Sequence, residues 1–344
     1  MALLAPISMS NSMINNPAEG AEITQRRLDA EPNLSDLDFE RSVAHGLSLR
    51  PRRIASKWLY DDAGASLFED VVASSSYYVA RAERQILTAY RWEIAQALGE
   101  HGSLVELGSG ASTKVRLLLD AMANLRRYVP VEISEPQLLE AADAIRADYP
   151  ALEVVPIAGD FTKYIALPAA VRDGPVLGFF PGSTLCNLLP ANSADFLRRM
   201  HGILGSDSLF LVGVDLQKET ETLLAAYNEP GGAIWHFNLN IVDRMNRELG
   251  STLDKAEFRH EATYNVDAGR IEAAIYPLRD QEVTVDGERF VLAAHEPIVL
   301  EYSHKYTLEG FQALAEGAGW TTLNAWTDAE GLFSVHLLTN LTSQ

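Results

Sequence analysis

The chain has 344 residues, 47% of them hydrophobic, with 28 basic against 47 acidic side chains and a net charge of −19. That length holds one large or two modest globular domains, and so acidic a surface repels the phosphates of nucleic acids and anionic lipids, so neither is an expected partner. A single cysteine, Cys186, excludes an intrachain disulfide and a cysteine-based metal cage, and no apolar run is long enough to span a bilayer.

Residues 1–36 are rich in Asn, Ser, Ala and Glu without sustained periodicity and are expected to be a disordered tail. The first residues lack a basic segment, so no signal peptide is read, and Met9 or Met13 is an alternative start. A reducing, cytoplasmic compartment and a monomeric chain are expected. None of the eight histidines falls in an HxxxH-like pair, so no metal is expected either.

Residues 36–47 read helical, Pro51-Arg52-Arg53 interrupts the pattern, and residues 59–72 again carry apolar side chains at near-helical spacing. Tyr77-Tyr78-Val79-Ala80-Arg81-Ala82-Glu83 then leads into a long helix ending near Leu98. From there strands and helices alternate. A strand at 104–107 precedes a helix at 112–123, and a strand at 127–133 precedes a helix at 135–148. A strand at 153–158 runs into Gly159-Asp160-Phe161. Another at 176–180 runs into Pro181-Gly182-Ser183-Thr184-Leu185-Cys186-Asn187, followed by a helix at 191–204 and a strand at 208–215. Units of this length predict a parallel sheet covered by helices on both faces, with ligands at the carboxyl ends of its strands. Glu106, Glu132, Asp160 and Asn187 fall at or just after strand ends and would share that rim.

The first of these strands carries the densest signal. Leu104-Val105-Glu106-Leu107-Gly108-Ser109-Gly110 ends an apolar run in a carboxylate, followed by two glycines one residue apart. Glycine tolerates positive φ and lets the backbone approach a ligand with no Cβ in the way. The further glycines of GxGxxG and of GxxxxGK[ST] are absent, which speaks against a nicotinamide-dependent oxidoreductase and a P-loop. An acidic residue two places before the first glycine suits S-adenosylmethionine, whose methionyl end is cationic and free of phosphate. A tight strand–helix turn without a ligand would carry the same residues.

Beyond residue 215 the pattern changes. Residues 219–228 and 241–249 read helical; strands are predicted at 258–265, 270–277 and 290–301, a helix at 308–318 and a last strand at 332–338. The simplest account is a second α+β domain made from the tail of the chain together with residues 37–81. No internal repeat is visible.

Several short motifs occur in a fixed order: Lys57-Trp58-Leu59-Tyr60-Asp61, Tyr77-Tyr78-x-x-Arg81-x-Glu83, Glu106-Leu107-Gly108-Ser109-Gly110, Gly182-Ser183-Thr184-x-x-Asn187, Glu301-x-Ser303-x-Lys305 and Trp326-Thr327-Asp328. Each is weak alone. Together, over roughly residues 40–340, the chain resembles the histidine-specific N-alpha-methyltransferases of ergothioneine biosynthesis. The resemblance implies an α/β fold: a Rossmann-like class I methyltransferase domain at 82–217 that binds S-adenosylmethionine and releases S-adenosylhomocysteine. A substrate-binding α+β domain formed from 37–81 and 218–341 would close over it, with L-histidine as the small-molecule partner.

Site roles follow from the same resemblance. Gly108, Gly110 and neighbouring Glu106 would lie under the methionyl part, and Glu132 would take the ribose hydroxyls. Asp160 would accept from the adenine amino group while Phe161 packs on the ring; capping a following helix would use Asp160 equally well. Lys114 would pair with the cofactor carboxylate, although a surface lysine on a helix needs no such role. Asn187 and Tyr227 would donate to the substrate carboxylate, neutral groups that avoid a desolvated ion pair; core packing competes for Tyr227. Glu301 and Ser303, two apart on a strand, share a face. Together they would hold imidazole, the carboxylate accepting from one ring nitrogen and the hydroxyl donating to or accepting from the other. Tyr60 and Tyr77 would wall the reacting amine as catalytic residues, their faces attracting the increasingly methylated ammonium. Phe68 lies either near the transferred methyl or in the core.

One position departs from the family pattern. Where the histidine enzymes carry methionine, Arg270-Ile271-Glu272-Ala273 places Ala273, which shortens a wall of the side-chain pocket. Methylation of another amino acid, such as tryptophan, is therefore the nearest alternative. A non-catalytic S-adenosylmethionine-binding protein is the next.

Overall fold

The computed structural model describes residue 34 and residues 37–340. The tail expected at 1–36 thus lies almost wholly outside the described residues. Helix α1 (Phe39–Ser48) is capped by Asp38, whose carboxylate accepts from Arg41 N. After the short strand β1 (Arg52–Arg53), helix α2 (Asp62–Ala73) starts at Asp61, which accepts from Gly64 N in the same way. Helix α3 (Tyr78–Leu98) buries Val79, Ala82, Ile86, Ile94 and Leu98 along one stripe and stops at Gly99, where φ is +78°.

The central sheet is made of β2 (Ser103–Leu107), β3 (Arg127–Glu132), β4 (Glu153–Val154), β5 (Ile157–Ala158), β6 (Val176–Phe180), β7 (Leu209–Asp215), β13 (Thr321–Thr327) and β14 (Phe333–Thr339). Its order is β4-β3-β2-β6-β7-β14-β13, with β5 continuing the β4 edge along β3. The expected strand at 153–158 is split in two around Pro156, which has no N–H to give a ladder. Strands β2, β3, β6 and β7 run parallel, whereas β14 is antiparallel to β7 and β13 to β14. Every residue of β2, β6 and β7 is buried, as befits strands covered on both faces. Helices α4 (Val115–Leu119), α5 (Glu135–Asp148), α6 (Pro190–Leu204) and α9 (Leu308–Gly317) complete this unit. It is a Rossmann-like class I methyltransferase fold, and the order reverses between β2 and β6, where such sheets open a ligand crevice.

The domain boundary read from the sequence needs one correction. Residues 308–339 were expected in the second domain, yet α9 packs on β13 and α6, and β13 and β14 are hydrogen-bonded members of the central sheet. All seven residues of β14 are buried, because α3 packs over the face carrying Phe333, Val335 and Leu337 and α9 over the face carrying His336 and Leu338. Strand β13 was not anticipated at all.

A second, four-stranded sheet has the order β1-β12-β9-β8, using β8 (Phe258–Asn265), β9 (Arg270–Pro277) and β12 (Ile298–His304). Helices α7 (Thr220–Tyr227) and α8 (Ala233–Leu249) pack on it. Strands β10 (Gln281–Val285) and β11 (Glu288–Leu292) form a hairpin turning on Asp286 and Gly287, both at positive φ. The two sheets meet where chain leaving β7 runs beside chain leaving β12: Tyr306 N donates to the Asp215 carbonyl and Gln217 N to the Tyr306 carbonyl.

Gly178, in the middle of β6, shows how tightly the central sheet is filled. A Cβ there would stand 2.6 Å from Leu204 Cδ1 and 2.7 Å from Phe210 Cδ2. Gly178→Ala should therefore lower the unfolding free energy by about 1–3 kcal/mol through overpacking. Denaturant titration of the two proteins measures this, and an unchanged midpoint would contradict the packing.

Candidate active site

The carboxyl ends of the parallel strands face the second sheet across a cavity of about 300 Å³. All the residues singled out from the sequence line it: Tyr60, Tyr77, Glu106, Gly108, Gly110, Lys114, Glu132, Asp160 and Phe161 on one hand, Asn187, Tyr227, Glu301 and Ser303 on the other. Phe68 and Ala273 line it too.

The turn after β2 explains its glycines. Gly108 has φ +67° and Gly110 φ +48°, the left-handed region that a side chain disfavours. A Cβ on Gly108 would stand 3.3 Å from the Phe161 ring, whereas one on Gly110 would meet nothing within 4 Å. The backbone is therefore bare where it faces the cavity. Glu132 clamps this turn, its carboxylate accepting from Gly110 N at 3.0 Å and, through the other oxygen, from Ile133 N at 2.8 Å. Glu106 is buried and bonded to the Tyr128 hydroxyl. Burial pushes its carboxyl up to about 8, against the opposing pull of Tyr128 and Lys114.

Asp160 serves two directions at once. One oxygen accepts from Thr162 N at 2.9 Å and Thr162 Oγ1 at 2.5 Å, closing a turn; no helix follows, so the helix-capping alternative does not apply. The other oxygen is buried without a hydrogen-bond partner among the described residues, with the Lys57 ammonium 3.8 Å away. Such an atom at a cavity wall suits an incoming donor such as an adenine amino group. These residues, with the bare glycine turn, fit a nucleoside carrying a cationic amino-acid tail.

Lys114 is more engaged than the sequence suggested. Its ammonium donates to Glu83 Oε2 at 2.5 Å. Glu83, fully buried on α3, also accepts from Gly182 N at 2.9 Å. One carboxylate thus fastens the glycine turn to the loop after β6. That loop runs through Gly182 (φ +80°) and Ser183 (φ +62°) into a single 3₁₀ turn, Thr184–Asn187. A left-handed serine is strained.

On the facing wall, Asn187 Nδ2 donates to Glu301 Oε2 at 3.2 Å. Burial raises the Glu301 carboxyl to about 7, with the Lys305 charge pulling the other way. Ser303 lies on the same face of β12, and Tyr227 donates to its Oγ at 3.2 Å. Ala273 sits directly opposite Glu301 across the β9–β12 ladder. Tyr60 packs edge-on against Phe68 and Phe237, with ring centroids 5.2 and 5.1 Å away, while Tyr77 meets Tyr227 at 6.1 Å. Burial raises the phenols of Tyr60, Tyr77 and Tyr227, so all three stay protonated near neutral pH.

Four contributors were not singled out from the sequence as functional. Phe237 and Asn238 on α8 line the cavity, but that helix was expected to begin only at residue 241. Glu83 and Asp215 lie deeper; only their strand-end or motif positions hinted at them. Asp215 is fully buried, and although burial pushes its carboxyl up, Lys305 and Lys218 hold it below the ordinary range. Among the described residues no cluster of three or more His, Cys, Asp or Glu side chains could hold a metal ion, and no helix is long and apolar enough to cross a membrane.

The family model for histidine-specific, S-adenosylmethionine-dependent methyltransferases matches residues 39–340. A histidine N-alpha-methyltransferase of Mycolicibacterium smegmatis is 37% identical over 304 residues, which span 87% of this chain and 94% of that protein. A histidine N-alpha-methyltransferase of Mycobacterium tuberculosis is 36% identical over 88% of this chain and 94% of its own length. Ergothioneine biosynthesis protein 1 of Neurospora crassa is 29% identical over 84% of this chain but only 33% of the fungal protein.

The buried carboxyl of Glu106 makes stability depend on pH. Folded, it keeps its proton up to about 8, whereas the ordinary value is 4.5. The folded state thus holds a proton that the unfolded chain releases, and its stabilisation, complete below the unfolded value, is lost as pH rises through the folded one. Ligand-free protein should lose on the order of a few kcal/mol between about pH 5 and pH 8, and Glu106→Gln should flatten that decline. Urea unfolding across this range decides; equal slopes would show that Glu106 is already ionised in the folded protein.

Proposed function

We propose that this chain, which belongs to the histidine-specific, S-adenosylmethionine-dependent methyltransferases, adds three methyl groups in succession to the α-amino nitrogen of L-histidine. The product is Nα-trimethylhistidine (hercynine), a precursor for ergothioneine, with S-adenosylhomocysteine released at each transfer. One observation carries this reading: Glu301 and Ser303, a carboxylate and a hydroxyl on one face of β12, open into the same cavity as the Gly108–Gly110 turn. A ring with one N–H and one bare nitrogen satisfies both.

In this reading Glu132 takes the ribose hydroxyls, the free oxygen of Asp160 the adenine amino group, and Phe161 the face of the base. Glu106 and the glycine turn face the methionyl part, and S-adenosylmethionine supplies a methyl group activated by its sulfonium. Lys114 and Glu83 keep that turn in register with the acceptor loop. Asn187 and Tyr227 donate to the carboxylate of histidine. The Asn187–Glu301 contact then becomes a hinge of recognition, since one amide faces both ends of the amino acid.

The amine must reach the methyl unprotonated. A chain-terminal α-amino group has an ordinary pKa of about 8; the carboxylate of a free amino acid raises it, and the cationic sulfonium lowers it again once the donor is bound. Tyr60 and Tyr77, whose phenols burial raises, stay neutral and serve as walls and hydrogen-bond partners rather than as bases. The proton leaves to water. Rate comes chiefly from alignment of nitrogen, methyl carbon and sulfur, an effect of up to about 7–11 kcal/mol. An aromatic wall of Tyr60, Phe68 and Phe237 tolerates the growing apolar ammonium through all three steps.

Ala273 keeps a second substrate in view. Its methyl group, opposite Glu301, leaves room that a longer side chain would fill, so a larger aromatic amino acid such as tryptophan competes more readily than in relatives with methionine there.

Mass spectrometry of purified protein with S-adenosylmethionine and a panel of amino acids tests the reading. Histidine carrying three added methyl groups is expected, and equal efficiency with histidine and tryptophan would overturn the assignment. Asn187→Ala and Tyr227→Phe should each weaken histidine binding by about 5–100-fold while changing cofactor affinity little, as calorimetry can measure. Equal losses for both ligands would exclude the carboxylate site. Because Glu301 ionises at about 7 and the amine of the substrate loses its proton above neutrality, kcat/KM for histidine should climb between about pH 6 and pH 9. A profile flat over that range would count against an ionised Glu301 and a neutral amine.

A further inference from the structure

Lys305 ends the Glu301-x-Ser303-x-Lys305 motif, yet the reaction as described leaves it without a task. It is wholly buried behind the acceptor wall and outside the cavity lining. Its ammonium donates to Asp215 Oδ2 at 2.7 Å, to Ser303 Oγ at 2.7 Å and to the Tyr227 hydroxyl at 3.4 Å. Asp215 is in turn held by Lys218 at 2.6 Å and by the Tyr78 hydroxyl at 2.9 Å. An ammonium has three donors and no acceptor, so all three hydrogens are committed.

That asymmetry has a consequence for two hydroxyls. Each must offer Lys305 a lone pair, and neither can point its hydrogen back at the ammonium. With the cavity empty, the Tyr227 hydrogen goes to Ser303, which leaves the hydrogen of Ser303 facing the site. With an amino acid bound, both hydrogens are available to it. We infer that Lys305, anchored by Asp215, is a positioning residue that turns Ser303 and Tyr227 into hydrogen-bond donors toward the substrate. The site is thereby set to accept a neutral imidazole, bare nitrogen toward Ser303 and N–H toward Glu301. A serine free to rotate would accept from imidazolium equally well. This inference rests on the histidine reading above and adds the polarity of the ring contact, together with the residue that enforces it.

The bound ring reports that polarity directly. Ring-15N histidine in complex with wild-type protein and S-adenosylhomocysteine should show one protonated and one bare, hydrogen-bonded nitrogen at neutral pH. Two protonated nitrogens would overturn the inference whatever any variant does. Lys305→Met then tests the cause. The probe pair is histidine and a pyrrolylalanine that keeps the ring N–H but has carbon in place of the bare nitrogen. Wild-type protein should prefer histidine by about 10–100-fold in kcat/KM. In Lys305→Met that preference should shrink to a few-fold and KM for histidine should rise, with S-adenosylhomocysteine affinity unchanged. Should the single variant fold poorly, the doubly neutral pair Asp215→Asn with Lys305→Met carries the same test. A preference as large as in wild type, in a variant that binds the cofactor product normally, would refute the role of Lys305. Failure of wild-type protein to bind histidine at all would instead refute the functional reading itself.

Discussion

Asp215 and Lys305 form the contact on which the rest of the molecule turns. One ends the strand β7 of the central sheet and the other follows β12 of the second, and both are fully buried. Desolvating two charges is costly unless each is well paired, and here the carboxylate has two ammonium groups and a phenol around it. Losing one partner of such a pair typically costs about 3–5 kcal/mol, because the other is left uncompensated. The backbone braids at the same place, with Tyr306 N on the Asp215 carbonyl. The second sheet is thus fixed against the rim of the central sheet, where the proposed reading has the acceptor meet the methyl donor.

Around this joint the cavity divides by chemistry. In the proposed reading the donor wall is mostly backbone and carboxyl groups, bare glycines with Glu106, Glu132 and Asp160, and would face a cationic nucleoside. The acceptor wall is neutral donors, aromatic rings and one raised carboxyl, Glu301. Glu83 ties the two together from behind, holding Lys114 of one and Gly182 of the other. Rigidity of this kind serves a transfer that depends on alignment more than on acid–base strength.

Much of this was legible in the chain. The βαβ alternation announces the parallel sheet, and the strand-end positions of Glu106, Glu132, Asp160 and Asn187 put them on one rim. Identity of the acceptor was not legible from the glycine turn, and it came from the order of six short motifs. What escaped was whatever depends on pairing between distant segments. Strand β14 reads as part of a second domain and β13 does not read as a strand; only the ladder from β7 through β14 to β13 places them. The hairpin β10–β11 was within reach, since Asp286-Gly287 between alternating apolar residues is a strong turn signal. Helix α8 was cut short because Asn238 and Asn240 break the apolar stripe, although both are buried. The partners of Lys114 and Lys305 could not be inferred, because a lysine in a motif does not say which carboxylate it meets.

If the second sheet selects the acceptor by its ring while the glycine turn presents the methyl donor, a crystal structure of the ternary complex with S-adenosylhomocysteine and L-histidine should show it. The imidazole is expected between Glu301 and Ser303, the carboxylate on Asn187 and Tyr227, and the α-amino nitrogen directed at the cofactor sulfur. An imidazole seated instead among Tyr60, Phe68 and Phe237, with Glu301 still bonded only to Asn187, would contradict it.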